Sequence, residues 1–164
     1  MSTLRVDNLR GQTADGTNRY VVQVVNGSSS GARTQSTSTS YADISGMSVT
    51  ITPLYTTSKV LIVANFPDTF VTNTDAANSL YLKIVRNING GSFSDVCQVA
   101  DRQGITTPTT QEFMCSMSYS FLDSPATTDT CIYKGQLKSY NTNQVNVGQQ
   151  SSGLVNITAM EIAQ

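Results

Sequence analysis

The sequence predicts an all-β protein: an antiparallel β-sandwich or jelly roll preceded by a short extended N-terminal arm. Three observations predict it. Apolar and polar residues alternate with period two in run after run. Polar stretches rich in Gly, Pro, Asn, Ser and Thr separate those runs at short intervals. No run carries a helical period, and no strand–helix rhythm supports a parallel sheet.

The elements follow in chain order. Residues 1–19 contain Gly11, Gly16 and Asn18 and few apolar side chains, which marks an arm, with residues 20–164 forming the head. YVVQVV at 20–25 is the first strand, and the polar low-complexity stretch NGSSSGARTQSTSTS at 26–40 is either a loop or a weak edge strand. Met47 to Thr52 alternate Met-Ser-Val-Thr-Ile-Thr, and Pro53 closes that strand because it cannot donate to a ladder. KVLIVANF at 59–66 puts Val60, Ile62, Ala64 and Phe66 on one face and Leu61 and Val63 on the other. A strand apolar on both sides belongs in the centre, pressed against a second sheet or a second subunit.

Residues 67–78 are expected to be a loop. SLYLKIVR at 79–86 and FSDVCQVA at 93–100 form a hairpin about Asn89-Gly90-Gly91, where glycine accepts positive φ without a steric penalty. A second loop is expected at 101–110. In QEFMCSMSYSFLD (111–123), Phe113, Cys115, Met117, Tyr119 and Phe121 share a face, so this strand is expected to be the spine of the core. Burying its larger side chains would contribute about 1.5–3 kcal/mol each. Residues 124–130 turn the chain, and strands at 130–140, 144–148 and 153–163 complete a set of roughly eight to ten, the number a two-sheet jelly roll needs.

Composition narrows the function. The 164 residues suit one domain and are 38% hydrophobic but only 13% charged, with Ser, Thr, Asn and Gln filling the gap. Hydroxyls keep their hydrogen bonds where salt screens charges within about 8 Å. The net charge is −1, and the ten Lys and Arg are scattered, so there is no basic stripe to neutralise nucleic-acid phosphates. No apolar run reaches the roughly 18 residues of a membrane span. MSTLRVDNLRG at the start lacks the apolar core of a secretory signal, so folding in a cytoplasm is expected. Cys97, Cys115 and Cys131 are an odd number without CxxC spacing and are expected to be buried free thiols, a Cys97–Cys115 disulfide being the alternative.

Little here can carry catalysis. Histidine, the commonest general base, is absent. Asp68 and Asp75 share one loop and Asp123 and Asp129 another. Paired carboxylates can hydrolyse a glycosidic bond, but loop carboxylates more often cap turns. Asp68, Asn73 and Asp75 are hard oxygen ligands whose spacing matches no defined calcium loop. No catalytic, cofactor or metal site is therefore expected, and the protein is expected not to be an enzyme. Asn26-Gly-Ser and Asn156-Ile-Thr match the glycosylation pattern without a secretory signal to make it matter. A lectin would want clustered exposed aromatics, whereas the tyrosines are spread over positions 20, 41, 55, 81, 119, 133 and 140.

Five pieces of the chain carry a resemblance. MSTLRVDNL resembles the opening of small fibre-like virion proteins of tailed bacteriophages, especially marine and cyanobacterial ones. YADISGMSVTITPLYTTSKVLI (41–62), the RN-turn-GG hairpin at 86–91, FLDSPATTDTCIYKGQLKS (121–139) and the closing NITAMEIAQ resemble further blocks of those proteins, in the same order. The resemblance implies a virion structural protein, a tail-fibre or capsid-decoration component assembled in the host cytoplasm. It also implies a jelly-roll head similar to tumour-necrosis-factor-like heads, a homotrimer, attachment to other virion proteins through the arm, and contact with a host-surface glycan or receptor. Fibre-shaft repeats are absent, which suits a knob or decoration protein as well as a fibre.

Overall fold

The computed structural model describes residues 19–30, 34–72, 77–106, 112–148 and 154–164. Residues 1–18, nearly all of the expected arm, lie outside them. Among the described residues ten strands are formed: β1 (Tyr20–Ser30), β2 (Thr34–Ser36), β3 (Ala42–Ile51), β4 (Lys59–Thr72), β5 (Leu80–Ile88), β6 (Ser94–Gln103), β7 (Glu112–Asp123), β8 (Cys131–Ser139), β9 (Val145–Val147) and β10 (Leu154–Ala163).

Apart from the three-residue strands β2 and β9, the pairing is nested. β1 pairs with β10, β3 with β8, β4 with β7 and β5 with β6, all antiparallel. The chain is thus one long double ribbon whose tip is the Asn89-Gly90 turn, where both residues have positive φ (50° and 74°). The ribbon rolls up because β10 also pairs with β4 and β8 with β5, which gives the sheets β1-β10-β4-β7 and β3-β8-β5-β6. A ribbon rolled into two four-stranded sheets is a jelly roll. β9 joins the far half of β4 at Phe70 and Val71, and β2 pairs with β9.

The core lies between the sheets. Val60, Ile62, Ala64 and Phe66 of β4 and Val155, Ile157 and Ala159 of β10 meet Met47, Val49 and Ile51 of β3, Leu80, Leu82 and Ile84 of β5, and Tyr133 and Leu137 of β8. All are buried, as period-two alternation requires.

Three expectations are corrected. The loop expected at 67–78 begins later, because β4 runs through Pro67 to Thr72. Phe66 faces Met117 and Thr69 faces Cys115, so β4 holds one extra residue there. This bulge accommodates Pro67, which has no N–H to give, and Asp68, whose φ is +46° and whose N–H donates to Ser116 Oγ at 3.1 Å. Likewise β6 continues to Gln103, three residues into the loop expected from 101.

Of the two readings left open for the polar stretch from Asn26, the edge strand holds as far as Ser30, where β1 ends at the margin of its sheet. Gly27 makes this possible: a Cβ there would overlap the Ser48 carbonyl oxygen of β3 in the opposite sheet.

The third correction concerns β7, which is not the spine of the core. Its apolar face is only half-buried, Tyr119 is 36% exposed, and among the described residues it pairs with β4 alone. It lies at a sheet edge. Alternation shows which side of a strand is apolar, not how far that side is covered.

Candidate interaction surfaces

Of the carboxylates the sequence singles out, Asp68, Asp123 and Asp129 lie among the described residues, each in a different setting. Asp123 sits at the end of β7 and is spoken for: its Oδ2 accepts from Arg86 Nη1 and, at 2.7 Å, from the Tyr133 hydroxyl. Burial pushes the Tyr133 phenol far above its ordinary range, and the Asp123 carboxylate adds to the shift. Burial alone would lower the Arg86 pKa, but Asp123 outweighs it and raises it. The trio ties β5, β7 and β8 together at one end of the sandwich. Asp129 is exposed in the following turn, where its N–H donates to Thr127 Oγ1 at 3.0 Å. Asp68 is held in the β4 bulge, while Asn73 and Asp75 lie outside the described residues.

All three cysteines are free thiols. Cys131 is buried, and desolvation raises its pKa. Cys97 and Cys115 are only partly buried.

Two polar residues that the sequence reading passed over are buried hubs. Glu161 points inward from β10 and is fully buried. Its carboxylate accepts from Gln23 Nε2 at 2.6 Å and from the backbone N–H groups of Leu54 and Tyr55 at 2.8 and 3.3 Å. Burial raises its pKa, but these bonds outweigh burial and hold it below the ordinary glutamate value. Asn78 is buried too, donating to the carbonyls of Thr72 and Gln144 and accepting from Ser139 Oγ at 2.9 Å.

The outer faces of the two sheets differ sharply. On the first sheet, cross-strand register aligns Val24, Met160, Leu61 and Leu122 in one row across β1, β10, β4 and β7. The ends of the row, Val24 and Leu122, are 58% and 54% exposed. A parallel row is made of amides and hydroxyls. Ser118 Oγ donates to Asn65 Oδ1 (2.7 Å), Asn65 Nδ2 to Asn156 Oδ1 (3.4 Å), and Asn156 Nδ2 to Asn26 Oδ1 (3.0 Å). Both glycosylation-pattern asparagines, Asn26 and Asn156, are members of this one ladder.

The second sheet carries charge and aromatic rings. Tyr81 and Tyr140 stack with centroids 6.3 Å apart and planes 19° from parallel. Lys138 Nζ lies 4.6 Å from the Tyr81 ring centre and 4.8 Å from that of Tyr41. Lys83 Nζ is 4.1 Å from Tyr41, and the Arg102 guanidinium 4.2 Å from Tyr140. Gln98 Nε2 donates to the Tyr41 hydroxyl at 3.2 Å. Nearby, Lys134 pairs with Asp43 at 2.8 Å and covers Phe93. Tyrosines that are far apart in sequence are therefore clustered on one face after all, contrary to the expectation of scattered rings.

No protein-family model matches the chain, and neither does any curated protein. Among solved structures the chain is similar to the Eiger TNF of S. frugiperda, with 9% identity over 86% of this chain and 92% of that one and a TM-score of 0.45. It is also similar to a chain of the infectious bursal disease virus Gt strain, with 14% identity over 99% of this chain and 36% of that one and a TM-score of 0.45. The VP2 subviral particle of the same virus gives 12% identity over 97% and 45%, with a TM-score of 0.37.

Proposed function

We propose that this protein is a non-enzymatic structural component of a bacteriophage particle, a knob-like appendage or decoration on tail or capsid. Its heads associate as a homotrimer through the uncharged outer face of the first sheet, and its N-terminal arm joins them to other virion proteins. The ordered sequence blocks from MSTLRVDNL to NITAMEIAQ support the virion part of this reading. The observation that carries the assembly part is the Val24–Met160–Leu61–Leu122 row beside its amide ladder. An apolar band flanked by groups that can hydrogen-bond, on a face almost free of charge, has the composition of an obligate interface.

A second, unlike apolar surface supports a ring rather than a two-fold dimer. The half-buried edge between β6 and β7 presents Val96, Val99, Met117 and Phe121. Contact between two different surfaces is head-to-tail, and it closes into a cycle when the rotation allows.

Antibodies against the chain, applied to intact particles in electron microscopy, test the virion reading. Labelling at regular positions is the expected result, and particles that lack the protein would refute it. Deleting residues 1–19 should abolish incorporation into particles while the far-ultraviolet circular dichroism of the head stays β-like.

A further inference from the structure

The charged face of the second sheet has a property that packing alone does not require. Exposed lysines and arginines usually meet carboxylates or remain free in water. Here Lys138 and Arg102 are instead held against tyrosine rings, and among the described residues neither is in an ion pair. Cation–π contact fixes the position of a cation without cancelling its charge. Lys83 is positioned over Tyr41 in the same way, but Asp95 Oδ1 also neutralises it at 2.6 Å. The remaining carboxylate close by is Asp101, exposed and next to Arg102.

The backbone contributes as well. Arg102 has φ +61°, a left-handed conformation uncommon for a residue with a side chain, and its guanidinium lies over Tyr140 in that conformation. Tyr140 stays 45% exposed. The result is a row of aromatic rings, Tyr41, Tyr81 and Tyr140, interleaved with two placed positive charges that, among the described residues, no salt bridge engages, the Asp101 carboxylate lying near the Tyr81 ring.

We propose that this surface binds an acidic oligosaccharide. The apolar C–H face of a sugar ring lies on exposed tyrosine, and the sugar's carboxylate is taken by Lys138 and Arg102. The chemistry selects this class. Two cations outside any salt bridge, with Asp101 nearby, are too few for a nucleic acid, whose affinity comes from many phosphate contacts. A neutral sugar would leave both cations unused. An acidic peptide would use the cations but gain little from the exposed Tyr140 ring. The site lies on the outer face of the sheet opposite the Val24–Met160–Leu61–Leu122 row.

The test is calorimetric titration of the full-length protein with tetragalacturonate, hyaluronan tetrasaccharide and sialyllactose, and with two controls, fully methyl-esterified tetragalacturonate and tetraglutamate. Saturable binding of at least one acidic sugar is expected, weakened about 10-fold by each of Lys138→Gln and Tyr140→Ala. Tyr20→Ala, a tyrosine on the other sheet, should leave it unchanged. Both site variants change half-buried or exposed side chains, and circular dichroism will confirm their fold. The proposal is overturned by no saturable binding of any acidic sugar up to roughly 10 mM. Equal binding of the methyl ester or of tetraglutamate, or affinity indifferent to both site variants, would overturn it equally.

Discussion

Asn78 joins segments that the chain keeps far apart. Its side chain bonds Thr72, Gln144 and Ser139, and its backbone carbonyl accepts from the Thr106 N–H at 3.0 Å. Replacing it with Leu would strand these buried groups, and leaving one such group unsatisfied costs about 1–3 kcal/mol. Asn78→Leu should therefore lower the unfolding free energy by that order, seen as a lower urea midpoint, and an unchanged midpoint would deny the hub its role. Glu161 makes stability depend on pH. Its folded pKa lies below the unfolded value of about 4.3, so its contribution is complete above that value and is lost as pH falls through the folded pKa. Urea midpoints measured from pH 7 down to 3 should fall less steeply in Glu161→Gln than in the native protein. Neither residue could be picked out in the sequence. A Glu or Asn in a strand-and-turn pattern reads as a surface residue, and its bonding partners are supplied by segments that only the fold brings near. The tyrosine platform was illegible for the same reason: Tyr41, Tyr81 and Tyr140 meet through the β3-β8-β5-β6 strand order, which no local pattern encodes.

Elements were far easier to read, and the misreadings have physical causes. Periodicity found β5, β8 and β10 within two residues, because each buries one face completely, but it began β3 at Met47, five residues after its start at Ala42. It stopped β4 at Pro67, since proline normally ends a ladder, and only the bulge at Asp68 shows how the strand continues. It overrated β7, which among the described residues has a neighbouring strand on one side only. The contrast between β4 and β7 can be measured. Ile62 and Phe121 face each other across the pair, but Ile62 is buried completely and Phe121 only in part. Truncating a fully buried Ile to Ala costs about 2–5 kcal/mol. Ile62→Ala should fall in that range, and Phe121→Ala should cost less than a buried Phe would in the isolated head. Equal losses would mean that β7 is core after all. Gly135 offers a second test, since a Cβ there would overlap the side chain of buried Met47. Gly135→Ala should destabilise by about 1–3 kcal/mol through overpacking, and combining it with Met47→Ala should recover part of the loss.

At the scale of the molecule, the two sheets differ in their outer faces, one nearly uncharged and the other bearing charge and aromatic rings. The sequence hinted at this through KVLIVANF, apolar on both sides, which pointed to a second surface beyond the core. Residues from three other strands complete that surface, and register alone shows that Val24, Met160, Leu61 and Leu122 line up. If the row is a subunit interface, one charge in its middle should prevent association without harming the fold, because in the separated subunit the charge would face water. Leu61→Asp is that variant: the side chain is on the outer face, half-buried in the single chain and flanked by Met160 and Leu122. Sedimentation velocity at micromolar concentration should show a trimer for the native chain and a monomer for Leu61→Asp, with near-identical circular dichroism. Lys138→Gln, on the opposite sheet, should remain trimeric. A native chain that sediments as a monomer would remove the reason for the uncharged face. A Leu61→Asp trimer would move the interface away from this row.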